Sequence, residues 1–297
     1  MKRLISSIMV VLILFTSPLW TLADAAEGDV IVTLGENLTE QQKQQVLNEM
    51  NPPDEAMFIT VSNAEEHQYL EGVVPKAQIG TRAISSSMIT IGAKGSGLSV
   101  ETNNINWVTE EMYTNALITA GVKDADIYIT APFEVSGTAA LTGLMKAYEV
   151  STGQKIPEEV KKVVNEEMVT TAELGESIGN DEAVALLARL KEEIAENAPK
   201  TEDELRTLIE QVAKELGITL TEQDIERLLA LLENMKNANI NWDQVNEQLS
   251  KAKEQLSTFL QSEEGKTFLQ NIIDILKEIW NAILSLFATE PQQQQGT

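Results

Sequence analysis

Val30-Ile31-Val32-Thr33-Leu34, closed by Gly35 and followed by Thr39 with Gln42 three residues on, decides the fold class of this chain. Five β-prone residues bounded by a glycine read as a strand. The Thr39/Gln42 spacing is a capping box that opens a helix running to about Met50, where Asn51-Pro52-Pro53 stops it. A strand that leads directly into a helix is the repeating unit of an α/β arrangement. The alternation continues to about Val150. Met57 to Val61 reads as a second strand, and Asn63 as the cap of a short helix ending at Leu70. Ile84–Ile91 and Leu98–Thr102 read as a hairpin across the turn Gly92-Ala93-Lys94-Gly95-Ser96-Gly97. Thr109 caps a helix that ends at Gly121, Ile127 to Thr130 is a strand, and Ser136 opens a helix with Leu141, Leu144, Met145 and Tyr148 on one face.

From Pro157 the apolar period becomes purely helical. Thr201 and Thr221 each stand three residues before an acid, Glu204 and Asp224, which marks two helix starts. Leu205, Leu208, Ile209, Val212 and Leu216 form one stripe and Ile225, Leu228, Leu229, Leu232 and Met235 the next, with Gly217 between them. The expected fold class is therefore α+β: a mixed α/β N-terminal domain with short strands and helices over residues 27–150, then an all-helical domain over 151–290. Residues 291–297 read as a disordered Gln-rich tail. The last helix, about 264–288, is apolar on most of its circumference. Phe268, Ile272, Ile275, Leu276, Ile279, Trp280 and Ile283 make it a candidate docking helix, the alternative being that the preceding helices cover it.

Lys2 and Arg3, the apolar run from Leu4 to Phe15 and the small-residue site Ala23-Asp24-Ala25-Ala26 have the layout of a secretory signal peptide over residues 1–26, cleaved near Ala25. The expected address is extracytoplasmic. The apolar run is too short to span a bilayer, and no later stretch reaches the roughly 18–20 apolar residues a span requires. With 22 Lys and Arg against 46 Asp and Glu, the chain carries −24, which opposes binding to nucleic acid and other polyanions. It contains no cysteine, so disulfides, thiol catalysis and thiolate-bound zinc are excluded.

Candidate chemistry is sparse. His67 is the only histidine and lies in a polar stretch, where it reads as a solvated side chain rather than a base. Ser85-Ser86-Ser87 lacks the turn that exposes a nucleophile and reads as solvent-facing strand. The glycine-rich loop at 92–97 leads into β-type sequence, which argues against a phosphate cradle. Asp124-Ala125-Asp126 starts like a calcium loop, but Ile127, Tyr128 and Ile129 occupy the places of ligands, so no metal or other cofactor is assigned and calcium stays without support. Arg82, Trp107 and Tyr113 are the binding candidates, Trp107 lying in the polar loop Asn103-Asn104-Ile105-Asn106; each has a packing role as its alternative.

Three long blocks carry a resemblance: Gly28-Asp29-Val30-Ile31-Val32-Thr33-Leu34-Gly35, then Ala77-Gln78-Ile79-Gly80-Thr81-Arg82-Ala83-Ile84-Ser85-Ser86-Ser87, and Tyr128 through Leu141. Asn241-Trp242-Asp243 adds a fourth in the helical half. At these positions the chain resembles the YpuA-like family of exported bacterial proteins, a domain of unknown function. The resemblance implies secretion and an envelope setting, and it brings no catalytic residues. Residues and resemblance together lead to one expectation, a secreted, non-enzymatic protein that meets the cell envelope through an envelope protein or wall polymer. An extracellular hydrolase of wall glycan or peptide using paired carboxylates is the alternative, and a calcium-dependent binding module a further one.

Overall fold

Thr39 Oγ1 accepts the backbone N–H of Gln42 while Gln42 Oε1 accepts that of Thr39 at 2.9 Å, so the capping box read from the sequence is formed. The computed structural model describes residues 27–70 and 80–261, with side chains through residue 252. The candidate leader and the candidate docking helix with Phe268, Ile272, Ile275, Leu276, Ile279, Trp280 and Ile283 lie outside the described residues.

The described elements in chain order are β1 (Val30–Gly35), α1 (Glu40–Met50), β2 (Met57–Val61), α2 (Asn63–Leu70), β3 (Ser86–Ile91) and β4 (Leu98–Ile105). They continue with α3 (Glu110–Ala120), β5 (Ala125–Val135), α4 (Thr138–Thr152), α5 (Glu158–Ile178), α6 (Asn180–Asn197), α7 (Glu202–Glu215), α8 (Glu222–Asn237) and α9 (Trp242–Gln261). The fold is α+β: among the described residues all strands lie in the N-terminal part, and the elements from residue 138 onward are helices. Among the described residues no helix is long and apolar enough to cross a membrane.

The five strands form one mixed sheet in the order β2-β1-β3-β5-β4. Each edge is a parallel pair joined through a helix, β1-α1-β2 on one side and β4-α3-β5 on the other, and β3 runs antiparallel to β1 and β5 between them. The expected hairpin between β3 and β4 does not form, because β5 inserts between the two strands. The glycine-rich loop spans that extra strand. Gly92 N–H donates to Asp124 O at 2.6 Å, Gly97 N–H to Asp124 Oδ1 at 2.9 Å, and Ala125 N–H to Gly97 O at 2.9 Å, so the loop clasps the start of β5.

Insertion of β5 makes β3 a central strand covered on both faces, which explains a second departure from expectation. Ser85, Ser86 and Ser87 are buried rather than solvent-facing. Ser86 Oγ accepts from Gly35 N–H at 3.2 Å and so fastens β3 to the end of β1. The helix after β2 is also capped one residue earlier than expected. Ser62, not Asn63, is the cap: its Oγ accepts from Glu65 N–H at 3.2 Å and Glu65 Oε2 accepts Ser62 N–H at 2.8 Å.

Alternation along the strands sorts the faces. Val32, Met88 and Tyr128 turn toward α1 with Met50, whereas Ile31, Ile89, Ile91, Ile127 and Ile129 turn toward α3 and α4. One oxygen holds α1 to its face: Glu49 Oε1 accepts from Asn103, Tyr128 and Thr130 at 2.7, 2.8 and 2.6 Å. On the other face a single set of touching buried side chains runs from Ile31 in β1 to Leu249 in α9. The change of composition near residue 150 therefore marks a change of architecture within one continuous core. At the centre of that core, Lys191 of α6 donates to Asn115 O and Thr119 Oγ1 of α3 and to Glu167 Oε1 of α5, at 2.9, 3.1 and 2.7 Å.

Candidate functional site

Eight residues of α2 face three surroundings at once. Glu66 and Leu70, four apart, turn inward and are buried; Glu65 and Tyr69, also four apart, turn to the side along α4 and α5; His67 lies half-buried between. The capping box at Ser62 holds Glu65 in place, since Glu65 Oε2 is taken by Ser62 N–H and Ser62 Oγ at 2.8 and 2.9 Å. Its other oxygen accepts from Lys146 of α4 at 2.6 Å. Burial works against the charge of Glu65, but these hydrogen bonds outweigh it and keep the carboxyl below the usual range.

Lys146 also donates to Thr60 O at 2.8 Å. Val61 O is bonded to Glu36 N on the β1 side, so by strand alternation the Thr60 carbonyl points to the free edge of the sheet. Lys146 thus closes part of the β2 edge, where Met57 and Phe58 are exposed.

One turn further along α4, Glu149 is buried and receives Ile156 N–H on Oε1 at 2.7 Å. Lys161 of α5 donates to Glu149 Oε2 at 3.2 Å and to Glu158 Oε1 at 2.9 Å, and its Nζ sits 5.8 Å from the centre of the Tyr69 ring. Burial opposes the charge on Lys161, but Glu158 and Glu149 more than compensate and raise its affinity for the proton. Glu65, Tyr69, Thr142, Met145, Lys146, Glu149, Val150, Lys155 and Lys161 line a cavity of about 250 Å³ between α2, α4 and α5. Three of these nine are lysines, in a chain with 22 basic residues in 297. Its floor is buried and its walls carry opposite charges.

Behind the cleft lies the buried carboxyl of Glu66. Thr138 Oγ1 donates to Glu66 Oε1 at 2.5 Å and Asn63 Nδ2 to Oε2 at 3.1 Å. Desolvation dominates, and Glu66 is pushed above the ordinary carboxyl range despite both donors. Such a group contributes its full stability below the unfolded-state value and loses it as pH rises through the raised folded-state value. Glu66→Gln is therefore expected to gain stability relative to wild type as pH goes from 4 to 7, measured as the difference in urea midpoints. A constant difference across that range would rule out a desolvated acid here.

The three binding candidates have separate fates. Tyr113 is wholly buried, and its hydroxyl donates to Gly137 O at 2.6 Å, so it secures the turn into α4 from inside the core. Trp107 is half-buried against Leu70 and Val169 and donates from Nε1 to Glu176 at 2.9 Å, which ties the β4–α3 loop to α2 and α5. Arg82 is exposed on the approach to β3. None of the three lines the cleft. His67 is not simply solvated: its Nε2 donates to Gly80 O at 3.0 Å. Among the described residues no three His, Asp or Glu side chains converge to hold a metal ion.

Sequence reasoning missed the cleft. Ser62-x-x-Glu65 is a readable capping box and could have placed Glu65, whereas Glu149 and Lys161 stand twelve positions apart on different helices. No spacing rule links such a pair.

A family model described as protein of unknown function (DUF1002) matches residues 34–252, a span that includes every cleft residue. An uncharacterized protein, YpuA, of Bacillus subtilis (strain 168) is 55% identical over 289 residues, covering 97% of this chain and 100% of that protein. No solved structure matches. With the model covering most of its length and a relative so similar from end to end, the chain belongs to the DUF1002 family, the YpuA-like proteins.

Proposed function

We propose that the protein is exported and works at the cell envelope as a non-enzymatic binding module, with the cleft between α2, α4 and α5 as its recognition site. One observation carries this reading: four of the five charged groups that line the cleft are locked in pairs, Glu65 with Lys146 and Glu149 with Lys161. Glu65 and Glu149 accept from Lys146, Lys161 and backbone donors, an arrangement that holds fixed charges in place for recognition. Hydrolysis by paired carboxylates needs one acid with a raised proton affinity beside the substrate. Glu65, at the cleft, is shifted the other way, and the raised Glu66 is sealed beneath it. The leader-like residues 1–26 support export, and the charge of −24 suits a partner other than a polyanion.

The test is fractionation followed by binding. The product is expected outside the cytoplasm in a form shortened near Ala25, and to sediment with isolated envelopes. Lys155→Glu, at an exposed position, should reduce that sedimentation several-fold. Recovery of the uncut chain inside the cell, or sedimentation unaffected by Lys155→Glu, would overturn the reading.

A further inference from the structure

The geometry points to a small oxyanion, a carboxylate or a phosphate group, as the ligand of the cleft; this rests on the cleft's being a recognition site. Both carboxylates of the cleft are engaged inside the protein, Glu65 by Ser62 and Lys146 and Glu149 by Ile156 N–H and Lys161, whereas the buried Thr142 hydroxyl in the same lining has no hydrogen-bond partner. The donors are not spent. Each ammonium carries three N–H groups. Lys146 uses two, on Glu65 and Thr60 O. The side chain of Lys155 is 82% exposed, and its contact with Glu149, at 3.9 Å, is an ion pair beyond hydrogen-bond length. The donors left over are the third N–H of Lys146, the Lys155 ammonium and the Thr142 hydroxyl, and a ligand that completes them brings acceptor oxygens.

The floor fixes the Glu149 carboxylate beside which Lys155 stands. Lys161 and Glu149 are each more than nine-tenths buried, which is costly unless they are paired, and their pairing sets one end of the cleft. A cavity of about 250 Å³ lies below the usual range of about 300–1,000 Å³ for ligand pockets, so the occupant is a single charged head with a short tail rather than a polymer segment. Met145 and the Tyr69 ring supply the apolar wall for that tail. The net charge of −24 repels anions at long range, so affinity must come from these close donors and should fall with added salt.

The experiment is calorimetric titration of the full chain with N-acetylglycine as the carboxylate probe and inorganic phosphate as the other, at low ionic strength. Saturable 1:1 binding in the millimolar range is expected for at least one probe, weakened about tenfold by Lys155→Gln and by Lys146→Gln. Lys43→Gln, which removes a surface lysine paired with Glu40 on α1, should leave it unchanged. The tighter probe identifies the oxyanion. Absence of saturable binding by both probes, or equal binding by wild type and Lys155→Gln, would overturn the inference. Persistent envelope sedimentation in that case would leave the binding-module reading standing with a different ligand.

Discussion

Replacing Lys191 by methionine is expected to lower the unfolding free energy by about 3–5 kcal/mol, the range measured when one partner of a buried ion pair is removed. The side chain of Lys191 is 0% exposed and that of Glu167 1%. All three ammonium donors of Lys191 are used, two of them on α3 and one on α5. Without the lysine, Glu167 would keep a carboxylate in the core, where its Oε2 already has no hydrogen-bond partner. Asn115 O would lose a donor as well. The double change Lys191→Met with Glu167→Leu removes both charges and should recover most of the loss. Denaturant unfolding of the two variants decides the matter. A single variant within 1 kcal/mol of wild type would show that the pair is hydrated in solution and not sealed. The position also predicts where damage appears: α3 belongs to a strand-helix-strand unit and α5 and α6 to the helical part, so both should loosen together.

A loss of about 2–6 kcal/mol is expected for Gly137→Ala, combining backbone strain with overpacking. Gly137 lies at φ +97° immediately before α4, a conformation that L side chains rarely adopt. An added Cβ would also overlap Tyr113 Oη and approach Ile105 Cγ2 to 2.7 Å. Tyr113→Phe by itself should cost about 1 kcal/mol, because it removes the 2.6 Å hydrogen bond to Gly137 O. In the double variant the missing hydroxyl leaves room for the methyl group, so the two losses should sum to less than their separate values. Thermal or urea unfolding of the three variants measures this. Gly137→Ala tolerated within 0.5 kcal/mol would contradict the geometry of the turn. The effect extends toward the cleft, since Thr138, the next residue, holds Glu66, and α4 carries Lys146 and Glu149.

Much of the local structure was legible because it rests on contacts within four residues. The boxes at Thr39/Gln42 and Thr221/Asp224, the caps Thr109 and Thr201, and the glycine that ends α3 all depend on groups adjacent along the chain. The misreadings share one cause. Adjacent strands β3 and β4 look like a hairpin until β5, which lies outside the window, enters between them. Ser86 and Ser87 then change from surface to core without any change in their own sequence. Trp107 and Tyr113 stood out as aromatic residues near a polar loop, yet their partners Glu176 and Gly137 lie 69 and 24 positions away.

By itself the sequence determined the element types, most of their boundaries, the switch from mixed to helical architecture and the excess of acid, since each follows from local sterics, local hydrogen bonding or a count of charges. Only the tertiary structure decided which strands are neighbours, that one core joins the two architectures, and that Glu65, Lys146, Glu149 and Lys161 face a common cleft. The reason is physical: strand order and helix packing are chosen by how distant apolar faces bury one another. Burial then assigns each charged side chain its partner, and no spacing along the chain encodes that choice.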